Sequence, residues 1–417
     1  MKMKLKKKQW YKLDQVGNFY SFLGDIISQN IFRYSADIKD DIDVSVLQES
    51  FEETMKEYPL FNVTLRRGMF WYYLEETAEK YRIYEDEPPF CNFKMFDQNH
   101  PFLFRITYYK KRINFEVSHI LSDGRGSLDF FKKLVSRYVI KYYKLEGIDV
   151  NSNDEPYFKK AEDSFLKNYK ESGGYINNVD KVYHYKAPKY KNLTRYLEGH
   201  VNVNKILDLA HKNNVTLTVL IISVYIYAFK DVLSDKDLKK SIIIDVPVDL
   251  RHYFNSKSVR NFFTLTHVSY KFKSREDTLQ DIMKEIDVQL KDILIKENLE
   301  RRVNQLTKLE KNIFCRLAPL PIKTVIMKIA DIVARSMSTS CVSNIGIIKL
   351  DPKVEEYVLG INTLVSTPYF QILLCTYKDD LCLGMSTVYK NNEVLKNFCR
   401  WFTDQGIEIT MNVSEGK

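Results

Sequence analysis

Glycine and proline are scarce, 14 and 11 in 417 residues, against ordinary usage of roughly 7% and 5%. That excludes collagen-like and low-complexity chains and favours long regular elements; no fixed-period repeat marks a solenoid or propeller. Cysteine is equally thin. Cys91, Cys315, Cys341, Cys375, Cys382 and Cys399 form no CxxC pair and no compact framework, which argues against a disulfide scaffold and against a bound metal. They read as free thiols of a reducing compartment, so a cytoplasmic location is expected. Long apolar runs are missing as well. The longest, 215–229, is interrupted by Thr216, Thr218 and Ser223 and falls short of the ~20 residues that span a bilayer; it reads as a buried helix. The N-terminus is basic but has no apolar stretch of the signal-peptide kind.

The chain is rich in aromatics, with 28 Tyr and 25 Phe, and is 45% hydrophobic and 28% charged. It is therefore globular, and its length suggests two domains. A formal net charge of +9 suits an anionic ligand. Part of that charge is a terminal cluster, Lys2, Lys4, Lys6, Lys7 and Lys8, directly before Trp10 and Tyr11; a solvated tail and a contact with a membrane surface are the two readings of it. No zinc-finger spacing, aromatic ribonucleoprotein motif or basic recognition helix points to nucleic acid.

Strand and helix signals alternate through the first half. Residues 31–38 predict a strand. Residues 44–58 predict a helix capped by Asp43 and ended by Pro59, with Leu47, Phe51, Met55 and Tyr58 on one stripe. Aromatic-rich runs at 61–66 and 70–75 predict a hairpin about Arg67-Gly68-Met69, and a second pair, 102–109 and 113–118, is joined through Lys110-Lys111-Arg112. A long helix is expected over 127–143. Residues 147–193 lose periodicity and read as a crossover between two domains, 1–146 and 194–417. The second half begins again with a strand (195–203), an amphipathic helix (204–212) and the apolar helix from Thr216. Strands are expected at 241–246, 339–350, 370–377 and 381–389, with a closing helix at 393–403. Two α/β halves with mixed sheets is the expected fold class.

The chemistry-bearing segment is His119-Ile120-Leu121-Ser122-Asp123-Gly124. Alternation along 113–119 puts Ile113, Phe115, Val117 and His119 on one face, so His119 enters the interior at the end of its strand. A desolvated imidazole held by its neighbours has the properties of a general base. A histidine on an apolar strand face is more often a core residue, but His-x-x-x-Asp-Gly arises by chance on the order of once in a hundred such chains. Here it also falls between a strand and a helix. Gly124 allows a ligand to approach the backbone, and the helix start beyond it favours developing negative charge.

With that motif the chain resembles the chloramphenicol acetyltransferase-like superfamily of thioester-dependent acyltransferases. It looks most like the bacterial alcohol acetyltransferase branch, near the polyketide-associated acyltransferases. The resemblance extends over essentially the whole chain. It implies two domains of related topology with a tunnel between them that reaches His119 from both sides. It also implies that His119 deprotonates the acceptor as it attacks a thioester carbonyl, while Asp123 is structural and paired with an arginine. Pro247-Val248-Asp249-Leu250-Arg251, followed by Arg260-Asn261-Phe262, looks like the family's arginine region, which makes Arg251 the expected partner. Ser343-Asn344-Ile345-Gly346 resembles a tunnel-lining strand, so Ser343 or Asn344 is a candidate oxyanion donor.

The departures are informative. Ser118 stands where condensation domains of peptide synthetases carry the first of two adjacent histidines, and the Asp-Phe-Gly-Trp-Gly signature of the plant branch is absent. The function implied is O-acyl transfer from acyl-CoA, a co-substrate and not a bound cofactor, to a small alcohol, without a metal. A carrier protein as donor, with ester or amide as product, is the alternative. A catalytically silent binding module is the reading from another class, and the intact His119, Asp123 and Gly124 argue against it.

Overall fold

The computed structural model describes residues 8–23, 31–88, 90–91, 101–150, 156–171, 180–191 and 193–414. Lys2, Lys4, Lys6 and Lys7 of the basic terminus lie outside them. Two sheets carry the fold. A five-stranded sheet runs Val358–Val365, Ile31–Ile38, Arg112–Ser118, Phe104–Tyr109, Tyr84–Glu85, and a seven-stranded sheet runs Phe263–Tyr270, Ile242–Asp249, Ser340–Ile348, Phe370–Tyr377, Asp380–Thr387, Arg195–Asn202, Thr410–Ser414. A three-stranded sheet joins Trp10–Lys12 to the hairpin Val63–Arg67 and Tyr72–Glu76. Pairing is mixed, with Ser340–Ile348 parallel to both of its neighbours and most other pairs antiparallel.

The first sheet is covered by the helices Val44–Glu57 and Gly124–Tyr143. Asp43 caps the former, accepting from the backbone N–H groups of Ser45 and Val46, and Pro59 follows its end. Leu47, Phe51 and Tyr58 are buried against the sheet and Met55 is half-buried. The core between them is aromatic: the rings of Phe61 and Phe130 stack at 4.8 Å, and Phe115 lies 5.1 Å from Phe130. In the second half the apolar helix Leu217–Ala228 is buried nearly all round between its sheet and the helices Leu279–Ile293 and Glu393–Asp404. Among the described residues no single helix is long and apolar enough to cross a membrane.

Chain order and sheet membership part company at one strand. Val358–Val365 lies in the sequence of the second half yet pairs antiparallel with Ile31–Ile38 as the edge of the first sheet. The interior is also less one-sided than alternation suggests. In Arg112–Ser118 the second face, Asn114, Glu116 and Ser118, is buried as fully as the apolar one, because Arg33 and Arg105 neutralise Glu116 there. Between 263 and 340, where the sequence reading assigns nothing, the structure has the strand Phe263–Tyr270 and the helices Leu279–Ile293, Lys296–Lys311 and Leu320–Ser336.

Candidate active site

His119 leaves the end of its strand on a tight turn, in which Leu121 N–H donates to Ser118 O and Ile120 N–H to Ser118 Oγ. The chain then enters the helix Gly124–Tyr143, whose N-cap is Asp123. The imidazole is packed among rings, with centroids 4.9 Å from Phe32 and 5.5 Å from both Tyr20 and Phe263. Burial pushes its pKa below the usual histidine value, opposed by the Asn261 hydrogen bond and the charge of Asp123. The neutral form therefore predominates at neutral pH.

Its tautomer follows from Asn261. The Asn261 amide nitrogen lies 2.9 Å from His119 O and 3.1 and 3.2 Å from the two Asp14 carboxylate oxygens. Every one of these is an acceptor, so that atom must be the NH2 group and Oδ1 faces the imidazole. His119 Nδ1, 3.3 Å from Asn261 Oδ1, then carries the proton, and Nε2 is left with its lone pair free. Asp14 is itself buried as the N-cap of Gln15–Ser21, accepting from Gly17 N–H. Its pKa is pushed up to about 6 by burial, against the lowering effect of Arg260, whose Nε is 3.6 Å away.

Asp123 faces a different set of partners. Arg251 Nη2 donates to both of its oxygens at 2.9 Å, Gly126 N–H to Oδ1 at 2.8 Å and Phe262 N–H to Oδ2 at 2.7 Å. Arg251 also binds Asp249 at 2.7 Å and the carbonyls of Ser258 and Arg260. This cluster ties the turn after His119 to residues 249–262 of the second half. Gly126 permits the approach, since a Cβ there would stand 2.2 Å from Val259 O. A Cβ at Gly124 would meet the tip of Ile345 at 2.8 Å, in the wall of the cavity at His119.

A cavity of about 330 Å³ opens at His119, walled by Phe32, Gly124, Phe263, Ser343, Ile345 and Leu373, among others from both halves of the chain. It shares Arg125, Asp249 and Arg251 with a second cavity of about 780 Å³, in which, among the described residues, seven lysine and arginine side chains, including Lys132, Lys257 and Lys349, outnumber four aspartates. Asn344 and Ser343 differ. The Asn344 amide donates to Thr218 Oγ1 and accepts from Gly346 N–H, so it is already engaged, whereas the Ser343 hydroxyl has no partner among the described residues. No three His, Cys, Asp or Glu side chains converge as metal ligands among the described residues.

Thus His119, Asp123, Gly124, Arg251, Ser343 and Asn344 all border one cavity. Asn261 and Asp14 are what the sequence reading lacks. Asn261 lies within the quoted arginine region without a role of its own. Asp14 stands 247 residues from Asn261, and no local pattern announces that contact.

By sequence, no family model and no curated protein matches the chain. By structure it is similar to TRI3 trichothecene 15-O-acetyltransferase from Fusarium sporotrichioides, at 14% identity over 94% of this chain and 93% of that one, with a TM-score of 0.61. It is also similar to F. sporotrichioides TRI101 complexed with coenzyme A and T-2 (11% identity, 98% and 100% covered, TM-score 0.63). A third is polyketide synthase associated protein 5 from Mycobacterium tuberculosis (11%, 94% and 96%, 0.60). The chain has the two-domain chloramphenicol acetyltransferase-like fold that these proteins and peptide-synthetase condensation domains share.

Proposed function

We propose that the protein is an O-acyltransferase that moves an acyl group from coenzyme A to an alcohol. The observation that carries this reading is the Asn261-fixed tautomer of a neutral, half-buried His119 at the wall of a cavity. Nε2 takes the proton of the acceptor hydroxyl as its oxygen attacks the thioester carbonyl. The tetrahedral intermediate then expels the thiolate, and the imidazolium returns the proton to sulfur. Ser343 is the better placed of the two candidate oxyanion donors, because Asn344 is already engaged. Asp123 and Arg251 hold the turn and do not touch the reacting atoms. The cationic cavity beside Arg125 suits the phosphates of a coenzyme A thioester, and the neighbour crystallised with coenzyme A supports that donor.

The test is thiol release from a panel of acyl-CoAs with alcohols and amines as acceptors. His119→Ala should lower kcat by about 10²–10⁴-fold with an unchanged unfolding midpoint. The wild-type kcat/KM should rise with pH along a limb centred below the ordinary histidine value of 6.5 and be flat by neutrality, because the base form is the active one. Near-normal turnover by a folded His119→Ala protein overturns the mechanism. Release only from a carrier-protein thioester reassigns the donor.

A further inference from the structure

The helix Leu320–Ser336 is turned inside out relative to an ordinary surface helix. Ile322, Val325, Ile326, Ile329, Ile332 and Val333 recur at helical spacing, and each is more than half exposed. Two of its charged residues, Lys323 and Asp331, point inward. Lys323 is buried, donates to Phe70 O and Arg316 O and sits 3.4 Å from the Trp71 ring centroid. Asp331 is buried and pairs with Arg335 at 2.7 Å. Those two charges act on the hydroxyl of Tyr20, whose ring lies against His119. Soluble helices bury their apolar stripe and wet their polar one, and exposed apolar patches of this extent mark interaction surfaces.

The patch continues past the helix. Ile313, Leu317 and the hairpin-tip Met69 are likewise more than half exposed, and Met69 O accepts from Leu320 N–H. Its border is cationic. Lys308, Lys311 and Arg316 are exposed beside it. Beside the same hairpin, a cavity of about 700 Å³ is lined by Lys8, Lys12, Lys311 and Arg316 with Trp10 and Trp71, and Glu75 is the one carboxylate there among the described residues. An apolar stripe bordered by lysine, arginine and an exposed tryptophan is what an interfacial helix presents to lipid headgroups. A symmetric contact with a second copy would instead set these cations against their own counterparts.

We propose that this face docks on an anionic lipid bilayer, with Leu320–Ser336 lying in the plane of the interface and Trp10, Lys311 and Arg316 at the headgroups. The surface is separate from the His119 cavity, so docking stands or falls independently of the acyl-transfer chemistry.

The full-length protein is co-sedimented with vesicles of phosphatidylcholine alone and of equal parts phosphatidylcholine and phosphatidylglycerol, at low and high salt, with sedimentation velocity run without lipid. The expected result is preferential, salt-weakened binding to the anionic vesicles by a monomer. Ile326→Glu/Ile329→Glu should reduce that binding at least tenfold, since two burying side chains become charged, with the unfolding midpoint unchanged because both positions are exposed. Lys311→Gln/Arg316→Gln should weaken binding to anionic vesicles and leave the zwitterionic background unaltered. Absence of binding to anionic vesicles, or binding that survives the Ile326→Glu/Ile329→Glu change, overturns the proposal. So does a lipid-free dimer that the same change converts to monomer, which would make the face a self-association surface.

Discussion

Glu116 and Asp14 are both buried carboxylates, at 1% and 2% exposure, yet their surroundings move their protons in opposite directions. Burial alone raises both. Glu116 ends below its ordinary value because Arg105 and Arg33 hydrogen-bond directly to its two oxygens and Cys91 N–H adds a further bond. Among the described residues Asp14 has one cation, Arg260, at 3.6 Å, and that guanidinium gives Nη2 to Lys12 O; its remaining partners are amides. Direct contact with a guanidinium decides whether a buried carboxylate stays charged. Asp123 also touches a guanidinium, that of Arg251, and two backbone N–H groups, but it sits beside the cavity. The three sites therefore separate stability from function.

The largest effect on stability is expected at Glu116. Glu116→Leu removes the carboxylate that Arg105 and Arg33 share, while Arg33 keeps its contacts with Asp86 and Ser35, a loss of about 3–5 kcal/mol typical of breaking a buried pair. Because its folded pKa is depressed, the stability that ionised Glu116 contributes is full above the unfolded value and is lost as pH falls through the folded one. Glu116→Gln should therefore flatten the acid side of the stability curve, read from urea midpoints between pH 7 and pH 3. Turnover of the protein that remains folded should match wild type. A change in kcat would show that the two clusters are not separable.

Asp123 should break the comparison from the other side. Asp123→Asn keeps an acceptor for Gly126 but removes the charge facing Arg251, which retains Asp249. A loss near the lower end, about 3 kcal/mol, is expected, together with a fall in kcat of up to ~100-fold as the His119 turn shifts. A cycle with Arg251→Gln, scored by unfolding free energy, should give a coupling of about 0.5–3 kcal/mol. Strict additivity would mean that the contact contributes nothing.

What the sequence makes legible follows from the same physics. Residues 31–58 announce themselves because strand, Asp43 cap, apolar stripe and Pro59 are all local, and the His119–Gly124 turn is legible for the same reason. The Leu320–Ser336 stripe is helical in the sequence too, but nothing in the sequence says that it faces outward; that depends on Phe70, Arg316 and Trp71 receiving Lys323. The strand Val358–Val365 and the Asp14–Asn261–His119 chain rest on contacts between residues 142 to more than 300 apart. Their order is a property of the packed sheets.

Asp14 should give the smallest effect, and its sign is opposite to that at Glu116. With a folded pKa near 6 against 3.8 unfolded, the folded protein holds this proton more tightly. The stabilisation is full below the unfolded value and lost as pH rises through about 6, and the part lost between pH 5 and pH 8 is roughly 1–1.5 kcal/mol. Asp14→Asn removes the titration while keeping an oxygen for Gly17 N–H and Asn261 Nδ2. The variant should gain on wild type as pH rises from 5 to 8 and lose on it in the other direction. Activity should change only a few-fold, because Asn261 still accepts from His119 Nδ1 and fixes the tautomer. Asn261→Leu is the control: it removes that acceptor, which favours the charged imidazole, so the acid limb of kcat/KM should move to lower pH while the plateau drops. An Asp14→Asn protein whose stability runs parallel to wild type from pH 5 to 8 would place the carboxylate with Glu116, ionised throughout, and would make the Arg260 contact stronger than its 3.6 Å separation implies.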